Sequence, residues 1–296
     1  MAIAFLEAKK QPEMLKTWIN TALGESWEEQ GDAVEYETLL ERRLNYDPTA
    51  IPEDVLVLVA GVDTQKDRLE LQLTGFGKSY ECWVIDYKIF WGDPNAANVW
   101  TELDNYLKKR FKTESNRILP ISCTCIDSGG HHTQQVYYFT KPRQARRIFA
   151  IKGASQANKP IANRPTYVGK NKAVLYPVGT DTAKEAIFAR LSADPENTTI
   201  HFAADIDEEY FKQLTAEKRI TKFVRGKPTM VWKQIRDRNE ALDTLVYCFA
   251  AIYILNPNFD VLEEKTLTGE TRPPEPKRKQ RLPIDRGRGN FANSWK

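Results

Sequence analysis

Cysteine, histidine and long apolar runs are scarce in this sequence, and each shortage excludes a class of protein. The chain of 296 residues contains 4 cysteines and 3 histidines. Four scattered cysteines do not make the disulfide framework of a small secreted domain, so we expect a reducing, cytosolic compartment. The longest apolar run, over residues 241–255, is interrupted by Asp243 and Thr244. It is shorter than the ~18 apolar residues of a transmembrane helix, and the first residues lack the pattern of a secretory signal.

Charge is distributed unevenly along the chain. Lys and Arg total 43 and Asp and Glu total 40, which is a formal net charge of +3. From Arg272 to Lys296, however, eight basic residues stand beside two acids, among several prolines and glycines. Such a segment buries too little apolar surface to fold alone, and its charge favours phosphates or an acidic partner. A solubilising tail without a specific partner is the alternative interpretation.

The hydrophobic pattern predicts a mixed sheet. A valine-rich run over residues 55–63 is typical of a strand buried on both faces. Over residues 67–77, leucines alternate with polar side chains such as Glu70, which predicts a half-buried strand. A third strand follows a short hairpin loop, and then helices and strands alternate up to a long helix over residues 238–255. This order predicts an α/β protein with a mixed sheet flanked by helices and an added β-ribbon, an arrangement that fits the ribonuclease-H-like fold.

Three aspartates stand out against this pattern. Asp63 and Asp127 each end an apolar strand, and open α/β sheets bind ligands at the carboxyl ends of their strands. Asp243 is the charged residue at the margin of the apolar face of the long helix. If the two strands are parallel neighbours, their carboxylates face each other at one edge of the sheet. An ionised carboxylate near a core is costly unless it is paired or bound to a metal.

Three converging carboxylates favour divalent cations. Mg²⁺ prefers oxygen ligands and retains waters, and two such ions about 3.5–4 Å apart promote phosphodiester hydrolysis. We therefore predict a nuclease in which Asp63, Asp127 and Asp243 are both the catalytic and the metal-binding residues for two Mg²⁺ or Mn²⁺ ions. Each acid also has a structural alternative, because Asp63 and Asp127 can cap turns and Asp243 can pair with a basic residue such as Arg238.

Four segments, in order, resemble a known family. They are GVDTQKDRLE around Asp63, IDSGGHHTQ around Asp127, VGTDTAKE around Asp181 and NEALD ending at Asp243. Together they resemble the large subunit of lambda-type phage DNA-packaging terminases over most of residues 13–257. The stretch LKTWINTALGESW, over residues 15–27, resembles the connector between the ATPase and nuclease of that family. The resemblance implies a ribonuclease-H-like endonuclease, with Asp63 on both metal ions and the other two acids on one ion each.

The resemblance also implies a domain organisation. The phosphate-binding motif G-x-x-x-x-G-K-[ST] of the family's ATPase motor does not occur in this sequence. We therefore expect the C-terminal nuclease half of such a subunit. Residues 1–50 are predicted to be a helical connector from the missing motor, residues 51–258 the nuclease domain, and residues 259–296 a basic, proline-rich, flexible tail.

Further residues are candidates for supporting roles. Glu240 precedes Asp243 by one helical turn, His131 follows Asp127, and Asp181 opens a helix. Each has a structural alternative, as a polar neighbour, in helix-start packing or as a helix cap. One basic residue on the third of these segments and several on the β-ribbon are candidates for phosphate contacts, which position DNA without reading its sequence; a solvated surface is their alternative. These residues are Lys184, Lys222, Arg225, Lys227 and Lys233.

The resemblance implies a packaging role in the host cell cytoplasm. The expected substrate is concatemeric double-stranded viral DNA, cut by metal-dependent hydrolysis during genome packaging. In the family, a small terminase subunit recognises the packaging site and the C-terminal end of the large subunit docks on the portal protein, so the basic tail is the expected docking segment. We expect no membrane partner. Two other functions stay open: a structure-specific nuclease of the junction-resolvase type, and a non-catalytic DNA-guiding or portal-docking module.

Overall fold

The computed structural model describes residue 22 and residues 34–268, apart from 155, 157, 170–171, 194–198 and 225–226. The described strands, in chain order, are β1 (Arg43–Leu44), β2 (Val57–Thr64), β3 (Arg68–Phe76), β4 (Cys82–Trp91), β5 (Arg110–Lys112), β6 (Ile118–Asp127), β7 (Ile148–Gly153), β8 (Thr166–Val168), β9 (Ala173–Val178), β10 (Ile200–Ala203), β11 (Glu217–Val224) and β12 (Lys227–Gln234). The described α-helices are α1 (Tyr36–Leu40), α2 (Ala97–Leu107), α3 (Thr133–Thr140), α4 (Thr180–Leu191), α5 (Glu208–Leu214), α6 (Glu240–Leu255) and α7 (Phe259–Leu267). Short 3₁₀ turns occupy Lys78–Tyr80 and Lys141–Arg146.

Ten of the strands form one mixed sheet. Its order is β1-β10-β4-β3-β2-β6-β7-β9-β8, with β5 paired to β6. Short connections make β2, β3 and β4 antiparallel, whereas β2, β6, β7 and β9 run parallel because longer crossovers join them. β11 and β12 form the separate antiparallel ribbon. The predicted mixed sheet flanked by helices, with its added ribbon, is confirmed, and β2, β4, β6 and β7 end at the same edge.

Helices cover both faces of the central strands. β2 is buried along almost its whole length, and α6 packs on β2, β3 and β6. On that face, the rings of Phe76 and Phe249 are 5.5 Å apart between centroids. On the opposite face, Phe90 of β4 meets Tyr106 of α2 at 6.0 Å. Burial of each such side chain contributes about 1.5–3 kcal/mol, so the core holds the strand ends of the β2–β6 edge in a fixed arrangement.

The expectation that β3 is half-buried is wrong. Its polar face lies under α6, and Glu70 and Gln72 are fully buried. Gln72 is satisfied there, since its Oε1 accepts hydrogen bonds from the hydroxyls of Tyr210 at 3.0 Å and Thr244 at 3.1 Å. Arginines satisfy Glu70, as described below. Long-range partners therefore allow this alternating strand to be covered on both sides.

The two ends of the described chain pack more closely on the sheet than the domain prediction implies. Within residues 34–50 of the predicted connector, Leu39 is fully buried and β1 pairs with β10. Within the predicted tail, residues 259–267 form α7, whose Phe259 meets Tyr80 edge-on at 5.3 Å. The rest of the predicted connector, apart from residue 22, and the tail beyond residue 268 lie outside the described residues.

Among the described residues, no single helix is long and apolar enough to cross a membrane. α6 and α7 reach that length and hydropathy only as a pair, which is bent by 83°. Most of α6 is buried inside the protein, against the sheet and neighbouring helices.

Candidate metal centre

Parallel pairing brings Asp63 and Asp127 together at the edge of the sheet. Val62 of β2 is the register partner of Ile126 of β6, so the next residue of each strand is an aspartate at the same level. Neighbouring strands lie about 4.8 Å apart. The Thr64 hydroxyl also donates to the backbone carbonyl of Asp127 at 3.2 Å, which ties the two strand ends together.

Asp63 is the most deeply placed of the three predicted acids. Its side chain is buried, with 5% of its surface exposed, and the Gln65 amide donates a hydrogen bond to its Oδ2. Burial raises the pKa of Asp63 to about 7, because desolvation outweighs the Gln65 bond and the negative charges of Asp243 and Asp127 add to the effect. The fold thus places this carboxylate where its ionised form is costly.

Asp127 is held by the loop that follows β6. The Gly129 N–H donates to Asp127 Oδ2 at 3.0 Å, and Ser128 anchors the loop by donating its own N–H and hydroxyl to the Ile151 carbonyl. Burial raises the pKa of Asp127 above its ordinary value, although the loop hydrogen bonds and the charge of Lys152 act in the opposite direction. The predicted turn-capping role and the position at the sheet edge therefore coexist in one side chain.

Asp243 reaches this edge because α6 lies directly on β2. A Cβ atom at Gly61 would come within 2.1 Å of the Thr244 carbonyl, so glycine is required for this approach. Burial raises the pKa of Asp243 to about 6; the charge of Lys184 lowers it and the charge of Glu217 raises it. The Asp243 side chain keeps 26% of its surface exposed.

The buried side chain of Tyr247 is influenced by the charges of all three acids. The pKa of Tyr247, one turn after Asp243 on α6, is raised first by burial and then by the charges of Asp243, Asp127 and Asp63. The three carboxylates therefore lie near a common side chain. We call Asp63, Asp127 and Asp243 the acid triad.

Lys184 belongs to this region. Its side chain is 12% exposed and its Nζ is 2.6 Å from Glu217 Oε1 and 3.8 Å from Asp243 Oδ1. The Asn239 amide donates to Glu217 at 2.9 Å and to Asp243 at 3.2 Å. The structure therefore places Lys184 in a polar cluster beside the triad, where its charge is directed at two carboxylates of the chain.

Glu240 lies in a second cluster of buried charge. Its carboxylate pairs with Arg68 at 2.7 Å and Arg238 at 3.3 Å. The same two arginines bind Glu70, at 2.5 and 2.9 Å, and the Tyr87 hydroxyl donates to it as well. We call Glu70, Glu240, Arg68 and Arg238 the arginine-paired cluster. Glu240 is thus a neighbour of the triad whose charge is already balanced by arginines.

The acid triad is not a preformed metal site. Within the described part of the chain, no group of three or more His, Cys, Asp or Glu side chains is arranged to hold a metal ion. Among the described residues, the one ion pair that includes a triad member joins Lys184 to Asp243. The three carboxylates are thus neighbours that do not form a complete ligand set among the described residues.

The other residues that the sequence analysis proposed for supporting roles or DNA contacts are not described as contacting the acid triad. His131 and Asp181 are exposed, Asp181 in the first turn of α4. On the ribbon, Lys222 and Lys233 are exposed. Lys227 begins β12, and Arg225 lies outside the described residues.

Two residues of the site were not among the sequence-based candidates. Glu217 and Asn239 contact Lys184 or Asp243 only after folding, since 33 residues separate Glu217 from Lys184. The ribbon begins at Glu217, ahead of Lys222, the first residue that the sequence assigns to it. Prediction of the full strand from the sequence would have placed Glu217 at the start of the ribbon. It would not have identified Lys184 as the partner of Glu217.

Comparisons with known proteins identify a family. A family model described as the endonuclease domain of terminase large subunit gpA matches residues 1–265. The chain is 35% identical over 260 residues to the terminase large subunit of Enterobacteria phage P21, which covers 84% of this chain and 40% of that protein. It is 36% identical over 248 residues to that of Escherichia phage lambda, covering 81% and 38%. The chain thus spans less than half the length of these relatives.

A solved structure is similar at lower identity. It is a mutant nuclease domain of the large terminase subunit gp2 of bacterial virus Sf6, solved with manganese. The match covers 73% of this chain and 97% of that one, with 13% identity and a TM-score of 0.41. The family model and the two phage relatives cover most of the sequence, and they establish that the chain belongs to the phage terminase large subunits, matching their endonuclease domain.

Proposed function

We propose that the chain is a metal-dependent DNA endonuclease whose acid triad binds two divalent cations, Mg²⁺ or Mn²⁺. The observation that carries the proposal is the convergence of three carboxylates with raised pKa values at one edge of the sheet. Among the described residues, Lys184 stands 3.8 Å from Asp243 and the charge of Lys152 acts on Asp127, so these two lysines supply less positive charge than the three carboxylates have negative charge. Added cations would remove this imbalance.

The donor set fits such ions. Carboxylate oxygens are the ligands that Mg²⁺ and Mn²⁺ prefer, and the partial exposure of Asp127 and Asp243 leaves access from solvent. Asp63, beside Asp127 in register, would contact both ions, while Asp127 and Asp243 would each contact one. When bound, two such ions activate a water and stabilise the leaving oxygen of a phosphodiester. The chain's own contribution is to orient the carboxylates through the Gln65, Gly129 and Asn239 hydrogen bonds.

The packaging role is part of the proposal and rests on family membership. The substrate would be concatemeric double-stranded viral DNA in the host cell cytoplasm, with a small subunit selecting the site and the basic tail docking on the portal. The ribbon residues Lys222, Arg225, Lys227 and Lys233 would contact phosphates, which positions DNA without reading sequence. Lys184, bonded to Glu217, would act inside the site instead.

The decisive experiment measures conversion of supercoiled plasmid to nicked and linear forms in Mg²⁺, in Mn²⁺ and in EDTA. We expect metal-dependent cleavage, with a rate at least about 100-fold lower in Asp63→Asn. A bound metal ion stabilises the transition state by several kcal/mol, and each ~1.4 kcal/mol changes the rate about tenfold. Asp67→Asn is the matched control in the same hairpin, since the Asp67 side chain is 63% exposed.

Mn²⁺ binding, followed by calorimetric titration, complements the cleavage assay. Binding that disappears in Asp63→Asn supports the site even where cleavage requires the full-length subunit. A non-catalytic docking module predicts neither binding nor cleavage. Equal cleavage by Asp63→Asn and the unmodified chain would show that the assigned site is wrong.

A further inference from the structure

Lys184 stands between two carboxylates but is bonded to only one of them. Its Nζ donates to both oxygens of Glu217, at 2.6 and 2.8 Å. The distance from Nζ to Asp243 Oδ1 is 3.8 Å, which is beyond hydrogen-bonding range. The ammonium is therefore held on the Glu217 side of the gap.

Glu217 is fixed in this position by the fold. It is 7% exposed and begins β11, where its register partner is Gln234. The Asn239 amide bridges Glu217 Oε1 and Asp243 Oδ2, at 2.9 and 3.2 Å. This bridge fixes the position of Glu217 relative to Asp243. The Lys184 ammonium therefore lies closer to Glu217 than to Asp243 of the triad.

We propose that Glu217 is a positioning residue that keeps the Lys184 ammonium off Asp243 and leaves that carboxylate open to a divalent cation. The role rests on the proposed function, in which Asp243 binds metal. Without the charge of Glu217, the ammonium would close to about 2.8 Å from Asp243, the usual distance of a charge-assisted hydrogen bond. A lysine bonded there would compete directly with the cation.

Glu217→Gln tests this role, because it removes the charge with little change in shape. One of the two acceptors of Lys184 becomes an NH₂ group. We expect the Mn²⁺ dissociation constant, measured by calorimetric titration of the whole chain, to rise about tenfold. Thermal unfolding in EDTA reports separately whether the variant folds.

A double variant separates positioning from direct metal binding. In Lys184→Met with Glu217→Gln, the competing ammonium is absent, so the Mn²⁺ affinity returns to within about threefold of the unmodified chain. If Glu217 were itself a metal ligand, the double variant would stay as weak as Glu217→Gln. Glu185→Gln is the control: this acid also lies on α4 and pairs with Arg219, but its side chain is 41% exposed.

Each outcome decides the role. Weakened binding in Glu217→Gln, restored in the double variant and unchanged in Glu185→Gln, supports it. Unchanged affinity in Glu217→Gln, or no restoration, overturns it while leaving the proposed function intact. An unmodified chain that binds no Mn²⁺ contradicts the proposed metal site itself and removes this role with it.

Discussion

Two groups of acids lie side by side on the central strands and on α6, and they differ in how their charge is balanced. In the arginine-paired cluster, Glu70 and Glu240 face two arginines at 2.5–3.3 Å. In the acid triad, the one ion pair formed among the described residues joins Lys184 to Asp243 at 3.8 Å. Burial raises the pKa of all three triad members. The sets are adjacent, since Asp63 and Glu70 are register partners in β2 and β3.

The difference lies in whether basic side chains of the chain itself balance the buried negative charge. Arginine has rigid, always-charged donors that match carboxylates, so the paired cluster is complete within the chain. The triad retains an excess of negative charge in a partly buried place, which lowers stability unless something outside the chain offsets it. The arginines thus balance one set within the chain, and the proposed function assigns the balance of the other set to divalent cations.

The largest expected effect comes from breaking the paired cluster. Glu70→Ala leaves two arginines without their fully buried partner and the Tyr87 hydroxyl without its acceptor. We expect a loss of about 3–5 kcal/mol in the free energy of unfolding, the usual result when one member of a buried ion pair is removed. Denaturant unfolding followed by circular dichroism measures it.

A surface ion pair provides the control for this change. Glu263 pairs with Lys78, and their side chains are 41% and 51% exposed. Glu263→Ala should cost less than about 1 kcal/mol, as exposed pairs do. If Glu70→Ala were no more costly than Glu263→Ala, the arginines would not be compensating a buried charge, and the contrast between the clusters would fail.

The same comparison shows what could be predicted from the sequence. Continuous and alternating apolar runs are local signals, and they located β2, β6 and α6, and with them the three aspartates of the triad. The identical signal assigned Glu70 to solvent. Its partner Arg68 is local, but its other arginine partner, Arg238, is 168 residues away, so a local window contains only part of the reason for its burial. The balance of charge between Lys184 and Glu217 was invisible for the same reason.

The next effect concerns added metal. Mn²⁺ at about 100 times its dissociation constant should raise the free energy of unfolding by about 2.7 kcal/mol, since it binds the folded chain. Asp63→Asn should lose this gain. Glu240→Gln should keep it, because the arginines already engage Glu240. Thermal unfolding with and without Mn²⁺ measures each response, and a lost response in Glu240→Gln would assign Glu240 to the metal site.

The smallest effect is a pH dependence in the absence of metal. Asp63 has a pKa of about 7 in the folded chain and about 3.9 when unfolded. The folded state therefore holds this proton more tightly, and stability falls as the pH rises between those values. Asp63→Asn does not titrate, so its stability relative to the unmodified chain should grow by about 2 kcal/mol between about pH 5 and pH 8.

Unfolding in EDTA at several pH values measures this gap. The remaining slope in Asp63→Asn reports the other two triad acids, whose pKa values are also raised. A matched change in the paired cluster, Glu240→Gln, should not remove the slope, because it leaves the three triad acids in place and alters a carboxylate that is paired with two arginines. Parallel pH curves for Asp63→Asn and the unmodified chain would mean that the Asp63 charge is balanced in the fold, and the triad would then be as complete as its neighbour.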